Sequence, residues 1–189
     1  MISQSCCPVV ELRQYTLKPG MRDRLIEIFD REFIESQEAV GNHVIGQFRD
    51  LDDPDRFVWL RGFAGMSERA SALSAFYGGP VWKAHREAAN ATMIDSDNVL
   101  LLRPARPNSG FDMRDRPRPT TTRPSEANLE ATICSLDRPA DEDFLAAFED
   151  EIAPRLRAAG TPVMACLVTE DAENNFPALP VRTGEHIFV

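Results

Sequence analysis

Lysine is almost missing from this chain: Lys18 and Lys83 are the only two in 189 residues, whose formal net charge is −9. An acidic body repels a polyanion, and phosphate contacts need clustered Lys and Arg, so nucleic acid is excluded as a partner. The same scarcity leaves no polylysine patch for an anionic membrane surface. No stretch approaches the roughly 20 apolar residues of a spanning helix. The opening Met1–Pro8 has neither the charged n-region nor the apolar core of a signal peptide, and the expected location is cytoplasmic. Cysteine is sparse too: Cys6, Cys7, Cys134 and Cys166 lack zinc-ligand spacing, so buried or reduced thiols are expected. The fingerprints G-x-S-x-G, G-x-x-x-x-G-K and G-x-G-x-x-G do not occur, which removes the common hydrolases, phosphate-loop enzymes and dinucleotide-binding folds. Neither His43 nor His85 has a second His, Cys or carboxylate at metal-ligand spacing, and no metal is expected.

What is present is a repeat. Residues 10–52 and 129–171 align without a gap at an offset of 119, so that Leu25–Phe33 lies over Phe144–Ile152, Gly41 over Gly160 and Val44 over Val163. Two copies of one fold are the economical explanation. With 43% hydrophobic and 27% charged residues, the chain suits two small globular units.

The first unit, 8–105, reads as strand, helix, strand, strand, helix, strand. Val9, Val10, Leu12 and Tyr15 mark a strand that Lys18-Pro19-Gly20 ends. Met21, Leu25, Ile28, Phe29 and Phe33 fall at helical spacing before Gly41. A hairpin is predicted from His43–Leu51 and Phe57–Phe63 around Asp52-Asp53-Pro54-Asp55. Ser67 is the expected N-cap of a helix that Gly78-Gly79 interrupts and Pro80 restarts. Val99–Arg103 reads as a buried last strand. This βαββαβ order is the ferredoxin-like arrangement. A Pro-rich linker is expected over 106–128, followed by a second unit over 129–189. That unit is predicted to hold strands at Leu129–Leu136 and Pro162–Thr169, and a helix at Asp141–Ala159 that Pro154 divides. About a dozen extra residues then precede Phe188-Val189, which match Phe57-Val58, and the rest of the layer is missing.

Three runs in the first unit, Val10–Gly20, Phe57–Phe63 and Phe76–Arg86, resemble the NIPSNAP family. The second unit shares the pattern loosely, with Thr132 in place of Arg13 and Cys134 in place of Tyr15. The resemblance implies an α+β fold of tandem ferredoxin-like units forming a dimeric α/β-barrel, either as a homodimer or as an intrachain pseudo-dimer. The wider superfamily it brings in includes cofactor-free monooxygenases, isomerases and cyclases, and some haem-dependent enzymes. No tightly bound cofactor is expected, with haem as the alternative.

Alternation along the first strand puts Glu11, Arg13 and Tyr15 on one face, and Trp59, Arg61 and Phe63 share a face of the third. His43, Ile45, Gln47 and Arg49 share a face of the second. If these faces coincide, Arg13, Tyr15, His43 and Arg61 form a catalytic set and Gln47, Trp59, Tyr77, Trp82 and His85 a substrate-binding set. Tyr15 or His43 then acts as acid or base, and the guanidinium groups hold developing negative charge on a planar, enolisable or phenolic compound. Alternation does not say whether that face meets helices or another sheet. In the competing reading, the same polar groups are ion pairs and core aromatics of a noncatalytic ligand-binding or interaction module. A cavity of roughly 300–1,000 Å³ beside them separates the two readings.

Overall fold

The structure, a computed structural model, describes residues 6–113 and 127–189, and it contains two compact units. The first comprises Cys7–Arg103 together with Glu170–Gly184. The second comprises the described residues of Pro104–Thr169 with Glu185–Val189. This division departs from the sequence boundaries, because the extra dozen residues of the second copy pack with the first. Of the expected linker, 114–126 lie outside the described residues.

In the first unit the order is β1 (Val9–Leu17), α1 (Arg22–Ile28), a π-helical turn (Phe29–Phe33), α2 (Ile34–Glu38), β2 (His43–Arg49) and β3 (Arg56–Phe63). It continues with α3 (Met66–Gly78), α4 (Pro80–Asn90), β4 (Met93–Asp95) and β5 (Val99–Pro104). The strands run antiparallel in the order β2-β3-β1-β5, which is the ferredoxin-like topology, and the class is α+β. The short β4, which the sequence reading did not anticipate, pairs with the end of β1. Helix α3 begins at Met66 after Gly65, so Ser67 lies inside the first turn and is not the cap. Gly79 and Pro80 separate α3 from α4 as anticipated.

Pairing fixes which side chains share a face. Glu11 lies opposite Arg61, Arg13 opposite Trp59 and Tyr15 opposite Phe57. Tyr15, Phe57 and Trp59 pack with Leu25, Phe29, Phe33 and Phe76, so this is the helix-covered face. Its aromatic rings interlock, with Phe29 at 4.7 Å from Trp59 and Phe33 at 5.7 Å from Phe76 between centroids. Each such ring contributes about 1.5–3 kcal/mol by leaving water.

The second unit runs β6 (Cys134–Leu136), α5 (Glu142–Ala147), a π-helical turn (Phe148–Ile152), α6 (Ala153–Ala158), β7 (Leu167–Thr169) and β8 (His186–Phe188). β6 and β7 are shorter than their sequence patterns, with Leu129, Ile133, Val163 and Met164 exposed. Pro154 sits at the restart in α6, yet the interruption is not proline's doing alone, since Phe29–Phe33 makes the same π-turn without one. The two π-turns lie 119 positions apart, as do Gly41 and Gly160, whose φ angles of 95° and 85° fall where glycine is favoured. Cys134 pairs with Phe188 as Tyr15 pairs with Phe57, and Val168 pairs with Phe188 as Arg49 pairs with Phe57.

The copies differ in cover. Phe33 is 2% exposed, whereas Ile152, its counterpart, is 43% exposed. In the first unit α3 and α4 supply Phe76 and Trp82 against Phe33, and the second chain segment has no equivalent helices among the described residues.

Candidate functional site

The site grows from Glu11 in the middle of β1. Its carboxylate has no solvent contact, and burial by itself would raise its pKa. The guanidinium groups of Arg61, Arg13 and Arg69 outweigh burial and hold it well below the ordinary value of 4.5. Oε2 accepts from Arg13 Nη1 at 2.6 Å and Arg61 Nε at 2.8 Å, while Oε1 accepts from Arg69 Nε at 2.7 Å. All three arginines are at most 1% exposed.

Three buried cations therefore face one buried anion. Neutral groups take up part of the remaining donor capacity. Arg13 Nε donates to Tyr15 Oη at 2.9 Å, and Arg61 Nη1 donates to Gln37 Oε1 at 3.1 Å and Tyr77 Oη at 3.4 Å. Arg69 Nη1 donates to Asn174 Oδ1 at 3.0 Å and Asn175 Oδ1 at 2.9 Å. Rings add cation–π support, with the Arg61 guanidinium 5.1 Å from the Trp59 centroid and that of Arg13 5.5 Å from Tyr15. Three buried donors stay without a hydrogen-bond partner among the described residues: Trp59 Nε1, Arg69 Nη2, and Arg61 Nη2, which lies 2.7 Å from Glu11 Oε2 outside hydrogen-bond alignment. Burial pushes the Arg69 pKa down, with Glu11 opposing that shift. It pushes that of Tyr15 up against the pull of Arg13, so Tyr15 is a neutral phenol.

The sequence candidates divide accordingly. Arg13, Tyr15, Arg61 and Trp59 share the helix-covered face. Tyr77 and Trp82 line a cavity of about 30 Å³ with Tyr15, Gln37, Trp59 and Phe76. That volume holds one or two waters, far short of the 300–1,000 Å³ of a small-molecule pocket. Gln47 is opposite Trp59, but its amide donates to Asp30 at 2.9 Å, tying β2 to the helix rim. His43 must be corrected. A bulge between Val44 and Gly46 puts two residues of β2 against one of β3, so His43 opposes Gly62 on the other face and is exposed. His85 lies outside the cavity, its Nε2 3.3 Å from Glu32 Oε2. Sequence reasoning missed Arg69, Gln37, Asn174 and Asn175. A signal existed for Arg69, the one cation in the buried stripe of α3 with Ala72, Leu73 and Phe76.

Elsewhere, Cys6 and Cys7 are disulfide-bonded, correcting the expectation of thiols, while Cys134 and Cys166 are free. Burial pushes the Cys166 thiol up to about 11. Among the described residues no three His, Cys, Asp or Glu side chains are grouped to hold a metal, and no helix is long and apolar enough to cross a membrane.

Residues 10–107 match the NIPSNAP family profile. Among solved structures, the chain is similar to a NIPSNAP family protein of Agrobacterium tumefaciens, with 20% identity over 56% of this chain and 93% of that one, at a TM-score of 0.49. It is also similar to a NIPSNAP-like domain protein of Burkholderia xenovorans, with 23% identity over 58% and 88% and a TM-score of 0.46. No match is found among curated proteins.

Proposed function

The chain belongs to the NIPSNAP family, and from that premise we propose that its first unit is a noncatalytic binding module for a small planar oxyanion, a carboxylate, enolate or phenolate. The observation that carries this reading is the charge imbalance around Glu11: three buried guanidinium groups share one carboxylate. Burying an unpaired cation is expensive, and an anion that completes the set removes the expense. Planar oxygens match the guanidinium fork. Arg61 and Arg69 are the recognising groups, and Tyr15 offers a phenolic proton beside Arg13.

The enzymatic alternative, a monooxygenase, isomerase or cyclase without a tightly bound cofactor, would use Tyr15 as acid and the arginines to stabilise an enolate. The cavity of about 30 Å³ beside Tyr15 does not enclose such a substrate, and in either reading a ligand enters only as the lining residues move aside. Internal duplication belongs to the same proposal: the π-turns, the two glycines and the strand pairing at constant offsets support a common origin for the units. The second copy lacks Arg13 and Tyr15 equivalents, having Thr132 and Cys134, so the binding role rests with the first.

Thermal unfolding in benzoate tests the reading. A ligand that binds only the folded state stabilises it by RT ln(1 + [L]/Kd), so benzoate raises Tm above that in chloride at equal ionic strength, and Arg69→Met loses the rise. An equal rise in chloride, or an undiminished rise in Arg69→Met, would contradict it.

A further inference from the structure

The segment Glu170–Gly184, an insertion in the second copy, lies against the first unit and covers the arginine cluster. Its ends are fastened to β5, where Glu170 N donates to Leu101 O at 2.9 Å and Arg182 N donates to Val99 O at 2.8 Å. Between them, Asn174 and Asn175 set their amide oxygens on Arg69 Nη1, and the Phe176 ring stacks on Tyr77 at 5.9 Å with 29° between planes. Two oxygens on a guanidinium with a planar ring a short distance away have the outline of an aromatic carboxylate. The imitation is incomplete in one respect: both amides are neutral, so Arg69 Nη1 donates to uncharged acceptors, its one counter-charge among the described residues is the Glu11 carboxylate it shares with Arg13 and Arg61, and its buried Nη2 has no hydrogen-bond partner among the described residues. An aspartate at either position would bond the guanidinium about twice as strongly as a neutral acceptor, but it would forfeit the bond from Asn174 Nδ2 to Leu179 O at 2.9 Å or from Asn175 Nδ2 to Met66 O at 2.6 Å.

We propose that Glu170–Gly184 is a strap occupying a binding site for an aromatic carboxylate, whose carboxylate takes the place of the Asn174 and Asn175 amides on Arg69 and whose ring takes the place of Phe176 on Tyr77. This rests on the oxyanion-binding reading above and adds the ligand class and the gate. With the ends anchored to β5, opening the strap breaks the bond from Asn175 Nδ2 to Met66 O at 2.6 Å and lifts Phe176 and Leu179 from the apolar cluster of Val9, Phe63, Ala72, Leu73 and Leu101. An entering anion exchanges two neutral acceptors for a charged one, so the strap is displaced by ligands that bring both charge and ring.

Isothermal titration of the full chain with benzoate, and with acetate as the ringless control, tests this. A strap-open variant combining Asn174→Gly, Asn175→Gly and Phe176→Ala binds benzoate at least tenfold more tightly than the unmodified chain does, and more tightly than it binds acetate. A strap-locked variant combining Asn174→Asp and Asn175→Asp binds at least tenfold more weakly than the unmodified chain, as does Arg69→Met. Equal benzoate affinity in the unmodified, open and locked chains, lost in Arg69→Met, overturns the strap while the oxyanion reading stands. Absence of benzoate binding in every chain overturns both. Should circular dichroism show the open variant unfolded, the locked variant decides: affinity equal to that of the unmodified chain overturns the strap.

Discussion

The Glu11 carboxylate and the Arg69 guanidinium meet at 2.7 Å across 58 positions of sequence, both without solvent contact. The pair joins β1 to α3, and because Glu11 is also held by Arg13 and Arg61 it is the one counter-charge of the cluster among the described residues.

Glu11→Gln leaves three buried guanidinium groups without an anion. Removing one partner of a buried ion pair costs about 3–5 kcal/mol, and urea denaturation of the variant is predicted to show a loss of that size. An unchanged midpoint would contradict the role given to Glu11.

The same carboxylate sets an acid limit. Its pKa is lower in the folded than in the unfolded chain, so its stabilisation is present above about pH 4.5 and declines progressively as pH falls below that value. Glu11→Gln lacks this component. Stability of the two proteins measured between pH 7 and pH 3 is predicted to converge on acidification; curves that stay parallel would assign the acid sensitivity elsewhere.

Glu11, Arg13 and Tyr15 were legible as one face because alternation is reliable along an unbroken strand, while Arg61 joins them through the pairing register of Glu11 with Arg61, which alternation leaves open. His43 was misplaced because a one-residue bulge reverses alternation, and neither Val44 nor Gly46 announces one. Arg69 sat in view within an apolar helical stripe, but a partner 58 residues away cannot be read from local periodicity. The strap was visible as extra length in the second copy, while its destination on the first unit is a tertiary fact. Strand, helix and turn order came through because Gly41, the Asp52–Asp55 run and Gly79-Pro80 punctuate the chain.

Corresponding positions in the two copies are predicted to respond unequally. Phe33→Ala empties a site 2% exposed and costs about 3–5 kcal/mol, whereas Ile152→Ala, at 43% exposure, costs less than about 1 kcal/mol. Chemical denaturation of both variants checks this; equal losses would imply that Ile152 is covered in solution.

Gly62 has no room for a side chain, since a Cβ there would overlap the Cβ and Sγ of Cys7. Gly62→Ala is predicted to destabilise the protein by about 1–3 kcal/mol, measured as a lower midpoint in chemical denaturation. A neutral Gly62→Ala would show that the segment holding Cys7 yields freely.

The most direct test is arginine-selective ¹⁵N NMR of the full chain titrated with benzoate, with signals assigned by Arg→Lys substitution at each position. The account predicts that the guanidinium N–H signals of Arg61 and Arg69 shift saturably and together. Shifts confined to solvent-exposed arginines such as Arg24 and Arg138, with Arg61 and Arg69 unmoved, would contradict it.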